Sequence, residues 1–562
     1  MTAMIENRSR HLVPESAIGS ILACLVAPAC FFNPVGSTPT STDTSSNSQV
    51  TATSGSGEPI TSSTTTSVTT SATGDAGSGE AACEAPEAGE PGSLIRVIKF
   101  SGPGLQVLHG ATIDPQGFIY VVGEYHGELQ LDGTPMAESD SQVPFVYKFC
   151  PNGQLEWAQH GESSSIPLQK FSPESYRFAI AADAGAAYVT GRLLGEVTFA
   201  GVNLTLTPSS NASAFAARFD ADGGGAAGLV MSPFASSGLD IGVDGDELFV
   251  VGMCNAPHTP DVTGILLAKL TTAVDGHDET CIPGGQGISP HKSLARSLAL
   301  RPGEPTFVIA GNIIKPAVNL EGLGPCAMVI DDTRDGFMAA VSRNPEDWAL
   351  PETLWAWCTP LVSESINDIV LDAAVSDQSI VATQATGTAS QALSGCGSFS
   401  PSSPPSTETF SLVTIDPSVG TCTHAEWFDG SWGSRYLFSV EPAPPGEVFV
   451  TGQLSGVLKF RDLDLAATNR TFFGARLPLP PSQEISWYLK ATHKHEDNEP
   501  DTRNSGGTHV TASDKVVAFV GYAMGDVELH VGDTQGVEVG SNYEQIGAPS
   551  EGYDAFLVLV RP

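Results

Sequence analysis

Basic residues are scarce in this chain. Its 562 residues hold 26 lysines and arginines against 63 aspartates and glutamates, a formal charge of −37. Phosphate backbones and anionic lipid surfaces are held by lysine and arginine displacing counterions, so nucleic acid is excluded as the expected partner and a membrane can be reached only through a lipid anchor. Long apolar runs are missing too. Hydrophobic content is 41%, enough for a core, yet no uninterrupted run reaches the roughly 18 residues that a spanning helix needs. Catalytic signatures are also absent: the sequence has no H-E-x-x-H, no G-x-S-x-G, no phosphate-binding glycine loop and no EF-hand series. No catalytic residue, resident metal or cofactor is indicated, and binding is favoured over catalysis.

Little near the N-terminus is suited to packing. Arg8 and Arg10 precede AIGSILACLVAPAC at 17 to 30, too short to span a bilayer and suited to the h-region of a secretion signal. Cys24 follows ILA and Cys30 follows APA. Small residues before a cysteine resemble a bacterial lipobox, in which the cysteine becomes the lipidated first residue of the mature protein. Cys30 is the preferred lipidation site because it allows a longer apolar stretch. Cys24 is the alternative with the better local match, and a plain cleaved signal without lipid stays open. Residues 1–30 are read as the leader. Residues 31–93, rich in Ser and Thr as in TSSTTTSVTTSATGDAGSGE, are read as a disordered tether, because such composition cannot bury enough apolar area to offset its ordering entropy.

From residue 94 to 562 one phrase recurs. FIYVVGEYHGELQL (118 to 131) returns as AYVTGRLLGEVTF, VFVTGQLSGVLKF and AFVGYAMGDVELH. In the first copy LHGATID is strand A, DPQG a turn, FIYVVGEY strand B, FVYKF strand C, CPNG a turn and QLEWAQH strand D. Alternation broken by tight Gly, Pro, Asn and Asp turns is what antiparallel strands require. Anchored on the residue ending strand B, the copies fall at Gly123, Gly191, Gly252, Gly311, Thr383, Gly452 and Gly521, with Thr383 standing where the others have glycine. Seven four-stranded copies predict an all-β, seven-bladed β-propeller. The last copy stops before a strand D, and LIRVIKFSG (94 to 102) has the pattern of one. The expectation is that this N-terminal strand closes the ring beside 508 to 562 and removes an open sheet edge.

The series D-x-x-G, YVTG, GEVTF, FxAKL and a tryptophan-containing strand resembles the bacterial SBBP-type β-propeller repeat, often found in predicted surface lipoproteins. The resemblance covers 94 to 562 and is clearest in copies one, two, six and seven. It departs in copies three to five, where VVGMCNAPHTP and VATQATGTASQ replace the usual continuation. It implies a seven-bladed ring and an exported location, and supplies no catalytic residues.

Ten cysteines occur, and three pairs recur within single copies: Cys254 with Cys281, Cys326 with Cys358, and Cys396 with Cys422. Zinc sites show closer C-x-x-C spacing with histidine, so disulfides are the better reading. Cys83 lies 11 residues before Leu94, within reach of Cys150 in the first C–D turn, and these two form the fourth expected pair.

Strand order puts the A–B and C–D turns at one end of every blade and the longer B–C and D–A connections at the other. Long connections on a rigid frame are where binding chemistry is usually placed, so that face is the candidate functional surface. Tyr125, His126, Trp432 and Tyr553 are candidates for it, although scattered aromatics are more often packing. His493, His495, Glu496 and Asp497 in HKHEDNEPD are more simply a hydrophilic turn than a metal site, and DADGG (220 to 224) a C–D turn. The resulting expectation is a lipid-anchored or secreted bacterial cell-envelope propeller, on the outer membrane or cell surface, acting as a scaffold for an extracellular or envelope protein or glycan. The alternatives are a structural envelope component, or a lyase, hydrolase or quinoprotein with its site over the central channel.

Overall fold

The computed structural model describes Cys83, Pro86 and residues 89 to 562 apart from parts of the connections, the longest omitted stretches being 164–177, 284–292, 315–333, 345–352, 359–368, 400–408, 429–435, 494–503 and 540–553. No helix among the described residues is long and apolar enough to cross a membrane. The unit from Gly79 to Pro562 is all-β and built from antiparallel four-stranded blades. Four sheets have four strands each. They comprise Ala179–Ala182, Ala186–Leu193, Ser213–Asp220 and Gly225–Val230; Ser236–Asp244, Glu247–Ala256, Thr259–Thr271 and His277–Pro283; Leu294–Leu300, Thr306–Ile314, Arg334–Ser342 and Thr353–Cys358; and Ile369–Val375, Ile380–Thr386, Thr409–Ile415 and Cys422–Phe428. A fifth blade, Tyr436–Pro442, Glu447–Phe460, Leu463–Pro478 and Trp487–His493, continues into Val527–Val531 and Val537–Val539.

The chemistry of the turns explains where the strands stop. Asp114 Oδ1 accepts the Gln116 and Phe118 N–H groups, each at 2.9 Å, and Asp183 Oδ1 accepts those of Gly185 and Ala186 at 2.7 and 2.8 Å. An aspartate opening D-x-x-G thus closes the A–B turn with its own side chain. The C–D turns close through main chain, as where Gly153 N donates to Cys150 O at 2.8 Å with Gly153 at φ +82°.

The first strands of successive copies touch in turn, from Gly104–Ile113 through Ala179–Ala182, Ser236–Asp244, Leu294–Leu300, Ile369–Val375, Tyr436–Pro442 and Asn504–Ala512, and back to Gly104–Ile113. This is the arrangement of a propeller around a channel. The core lies between neighbouring blades: Tyr120, Val122 and Val146 of the first copy pack with Phe178, Val189, Phe215 and Phe219 of the second.

Two expectations are corrected here. The sequence counts seven separate blades, whereas five stand as separate sheets and the strands of the last and first copies run together in one ten-stranded sheet. The cause is the resumed phrase after the strand B glycine. In the first copy it carries the strand Ile119–Leu131 outward until Leu131 and Gln130 pair with Phe100 and Ser101 of Leu94–Ser101. Lys99 O accepts the Asp132 N–H at 2.9 Å, and Asp132 Oδ1 accepts the Lys99 N–H at 2.9 Å. In the second copy Val197–Phe199 pairs with Gly161–Ser163, the outer strand of the first. In the seventh Val527–Val531 pairs with Leu489–His493, the outer strand of the sixth. GELQL and its relatives in the second and seventh copies are clasps on the preceding blade, adding a strand to an edge that would otherwise stay open, whereas GVLKF of the sixth pairs with Leu463–Ala467 in its own hairpin. The strand Leu94–Ser101 itself pairs antiparallel with Asp554–Val560, from Leu94 opposite Val560 to Phe100 opposite Ala555.

The second correction concerns the anchor. At Gly123 an added Cβ would run into the Val107 carbonyl oxygen and the Phe145 ring, at Gly252 into Ser237 O and at Gly311 into Leu294 O. Close approach of the neighbouring backbone therefore requires glycine. In the fifth copy the residue at this register is Gln384, opposite Val370, and Thr383 pairs with Asp372. Thr383 corresponds to Thr190 and Thr451, which pair with Ala179 and Ser439. Ahead of residue 94, Gly92 N donates to Arg561 O at 2.9 Å and Cys83 is bonded to Cys150. The leader and the rest of the expected tether lie outside the described residues.

Candidate functional site

The inner strands that meet around the channel share one irregularity. Their register slips by a residue at Leu239, Arg296, Leu371, Phe438 and Thr508, and at His109 in the first copy. A bulge leaves a backbone group without its ladder partner, and these groups are satisfied from the blade before. Leu298 N donates to Asp240 Oδ2 at 2.7 Å, Ala373 N to Ser297 Oγ at 3.1 Å, Val440 N to Asp372 Oδ2 at 3.0 Å and Val510 N to Ser439 Oγ at 3.2 Å. Four consecutive seams are stitched by the same geometry, with the side chain just past the bulge serving as acceptor. At this register the first and second copies carry Gly110 and Ala179, which offer no acceptor.

Asp372 is the centre of this belt. Its Oδ1 accepts the Ser297 hydroxyl at 2.6 Å and the Ala373 N–H at 2.9 Å, and its Oδ2 accepts the Ser439 hydroxyl at 2.7 Å as well as Val440 N. Ser439 Oγ also lies 3.5 Å from His509 Nδ1. Asp240 and Glu441 are half-buried on the inner strands of the third and sixth copies. Burial first, and the charge of Asp372 second, push the Asp240 carboxyl up to about 8. Burial, then Asp372 and Asp240, push Glu441 up to about 8. At neutral pH these carboxyls hold protons and can donate hydrogen bonds. At the first-copy bulge, His109 Nε2 and Glu124 Oε1 lie 2.9 Å apart, both side chains buried.

The cysteines expected to pair are brought together wherever both are described. Cys254 is bonded to Cys281, Cys396 to Cys422 and Cys83 to Cys150, with Cα separations of 5.9, 5.1 and 5.2 Å. Cys358 is disulfide-bonded, and its expected partner Cys326 lies outside the described residues, as do Cys24, Cys30, Trp432, Tyr553, His495, Glu496 and Asp497. His493 ends the strand Trp487–His493. Of the candidate aromatics, Tyr125 takes the packing role: it is buried in the first-copy core against Phe145 and His160, because its side of the strand faces the blade interior. His126 is half-buried opposite Leu105. DADGG is a turn, with Gly223 N donating to Asp220 O at 2.8 Å. Among the described residues the grouping of potential metal-ligand atoms is Cys83, Cys150 and Glu156, and its two sulfurs are joined to each other.

Sequence reading missed Asp240, Ser297, Asp372, Ser439 and Glu441. The available signal was a polar residue recurring in strand A of copies three to seven, and only the bulge register shows that these positions are equivalent.

No family model matches the chain, and no curated protein does. Among solved structures it is similar to a phage phi92 endosialidase, at 10% identity and TM-score 0.39, covering 83% of this chain and 69% of that one. It is also similar to the β-propeller domain of the Trilobed protease from Pyrococcus furiosus, described as having an open velcro topology, at 9% identity and TM-score 0.32, covering 65% and 82%. Likeness at this level carries no argument about activity. The propeller architecture rests on this chain's own strand pairing.

Proposed function

We propose that the chain is an exported β-propeller scaffold of the bacterial envelope that binds a protein or glycan on the face of its long connections, held to a membrane by lipid at Cys30 or at Cys24. The carrying observation is the asymmetry of the two ends. The A–B turns at 114–118, 183–185, 245–246, 376–379 and 513–516 are brief, whereas 315–333, 359–368 and 387–408 on the opposite end leave room for variation without disturbing the blades. Disulfides accord with an extracellular setting. Cys83 bonded to the C–D turn at Cys150 supports a tether leaving from the short-turn end, with the long connections pointing away from the membrane. The cyclic contact of inner strands, together with Leu94–Ser101 beside Asp554–Val560, supports reading the ten-stranded sheet as two fused units of a seven-unit SBBP-type ring closed by its N-terminal strand.

The test is binding of the labelled full chain to envelope fragments and to a glycan panel. Replacing 315–333 or 387–408 by a short Gly-Ser turn is expected to abolish retention, and substitutions in the 150–154 turn to leave it intact; the reverse pattern overturns the reading. The proton-holding carboxyls favour one second reading, an enzyme acting over the channel, for which Asp372→Asn would abolish turnover of a glycan without affecting its capture.

A further inference from the structure

The disulfides lie at particular seams. Cys254 and Cys281 sit in the apolar cluster joining the second and third copies, with Ala214, Ala216, Met231 and Leu229 of the second. Cys358 packs with Phe249, Leu267 and Ile282 between the third and fourth. Cys396 and Cys422 pack with Trp355 and Trp357 between the fourth and fifth. The outer strands at these seams, Gly225–Val230, His277–Pro283 and Thr353–Cys358, receive no clasp strand from the following copy among the described residues, and neither does Cys422–Phe428 of the fifth copy. At their inner edges the second of these seams is stitched by Leu298 N to Asp240 and the third by Ala373 N to Ser297.

We propose that this rim is a redox-controlled latch: with its cysteines reduced, the outer edges of the third to fifth copies are loose while the channel-edge stitches at Asp240 and Ser297 stay in place, and oxidation locks them after export. In the locking step two cysteine thiols of one copy give up two electrons and two protons to a small-molecule or enzyme disulfide. One protein S–S bond forms, the oxidant's S–S bond breaks, and two oxidant thiols are released. Attack by a thiolate on a disulfide sulfur is the ordinary route for this exchange. The latch ties the outer strand at Cys281 to Cys254 on Glu247–Ala256 and the one at Cys422 to Cys396, beyond main-chain pairing, so its release frees the rim and leaves the ladder of each blade in place. The other arc needs no oxidant, since Val197–Phe199, Val527–Val531 and Gln130–Leu131 are held by main-chain pairing. Cys83–Cys150 is an internal control, because its reduction releases only the segment ahead of Leu94.

Hydrogen exchange of the folded full chain, before and after a non-thiol phosphine reductant, tests the latch. Amides of 278–283, 353–358 and 422–428 are expected to lose protection by about tenfold or more, the size of a local opening equilibrium. Those of 161–163, 489–493 and the inner strands 236–244, 294–300 and 369–375 are expected to keep theirs. The paired variant Cys254→Ser with Cys281→Ser should reproduce the change at 278–283 alone. Because reduction is applied after folding, a variant that fails to fold leaves the test intact. Unchanged exchange on reduction, or equal loss in 161–163 and 489–493, overturns the proposal.

Discussion

From the sixth copy round to the second, the rim is sewn by strands that reach back onto the preceding blade; from the second to the fifth, the corresponding segments carry cysteines. The glycine-led phrase supplies a second short strand, and its main chain satisfies an open edge at the cost of ordering five or so residues. Where VVGMCNAPHTP and VATQATGTASQ replace it, a disulfide ties the copy to its own outer strand, Cys254 to Cys281 and Cys396 to Cys422, and the rim of the seam with the copy before is left to packing. The inner edge is distributed differently. Side-chain acceptors at the bulge stitch the seams from the third copy to the seventh and are absent at Gly110 and Ala179, so the first and second copies rely on clasps while the third to fifth rely on stitches and disulfides. A ring can close each seam at rim or channel, and its repeats need not make the same choice.

The largest effect is expected at the centre of the stitched arc. Asp372→Ala strands two hydroxyls and two backbone N–H groups that three copies aim at one carboxylate, and should cost about 3 to 5 kcal/mol in denaturant unfolding. A loss under about 1 kcal/mol would show that the stitches do not distinguish the arcs. In the clasped arc, Thr198→Pro removes an N–H from the strand pairing with Glu162 and should cost about 2 kcal/mol. Its increased exchange should be confined to 161–163 and 196–205, and a global change would break the picture of independent seams.

Acid and alkali should separate the arcs with opposite signs. Asp240 and Glu441 hold protons in the folded chain up to about 8, above their ordinary 3.8 and 4.5. Their contribution is full below the ordinary values and is lost as pH climbs through about 8. His160, in the first copy and 2.7 Å from the Tyr147 hydroxyl, is held down to about 4 by burial, from 6.5. Its contribution is present above 6.5 and is lost as pH falls through about 4. Thermal melts from pH 4 to 9 should therefore fall at both ends. Glu441→Gln should flatten only the alkaline side and His160→Gln only the acid side; matching changes on both sides would show that the two groups do not act separately. The smallest effect is a gain. The Gln384 side chain is fully buried with neither its nitrogen nor its oxygen bonded, so Gln384→Met should stabilise by about 1 kcal/mol, measured as a raised unfolding midpoint.

Much of the fold was legible because its signals are local. Alternation, D-x-x-G turns and recurring glycines each report on a few neighbouring residues, and they located most strands and the copies to which they belong. Cysteine pairs within single copies were legible for the same reason. The fifth anchor was misplaced by one residue because the glycine of SIVATQATG, Gly387, falls three residues past the register, and only pairing to Val370 identifies Gln384.

The sequence by itself determined that the chain is a repeating antiparallel β protein, acidic and poor in catalytic motifs, with an N-terminal strand shaped like the one its last copy omits. Tertiary structure alone decided what joins the copies: that GELQL belongs to the neighbouring seam, that the last and first copies share one sheet, and that Asp240, Ser297, Asp372 and Ser439 occupy one level of the channel. The physical reason is range. A turn or an alternating strand is specified by residues a few positions apart, whereas a clasp or a stitch forms between residues some thirty to seventy positions apart, whose meeting depends on the propeller bringing one blade's edge against the next.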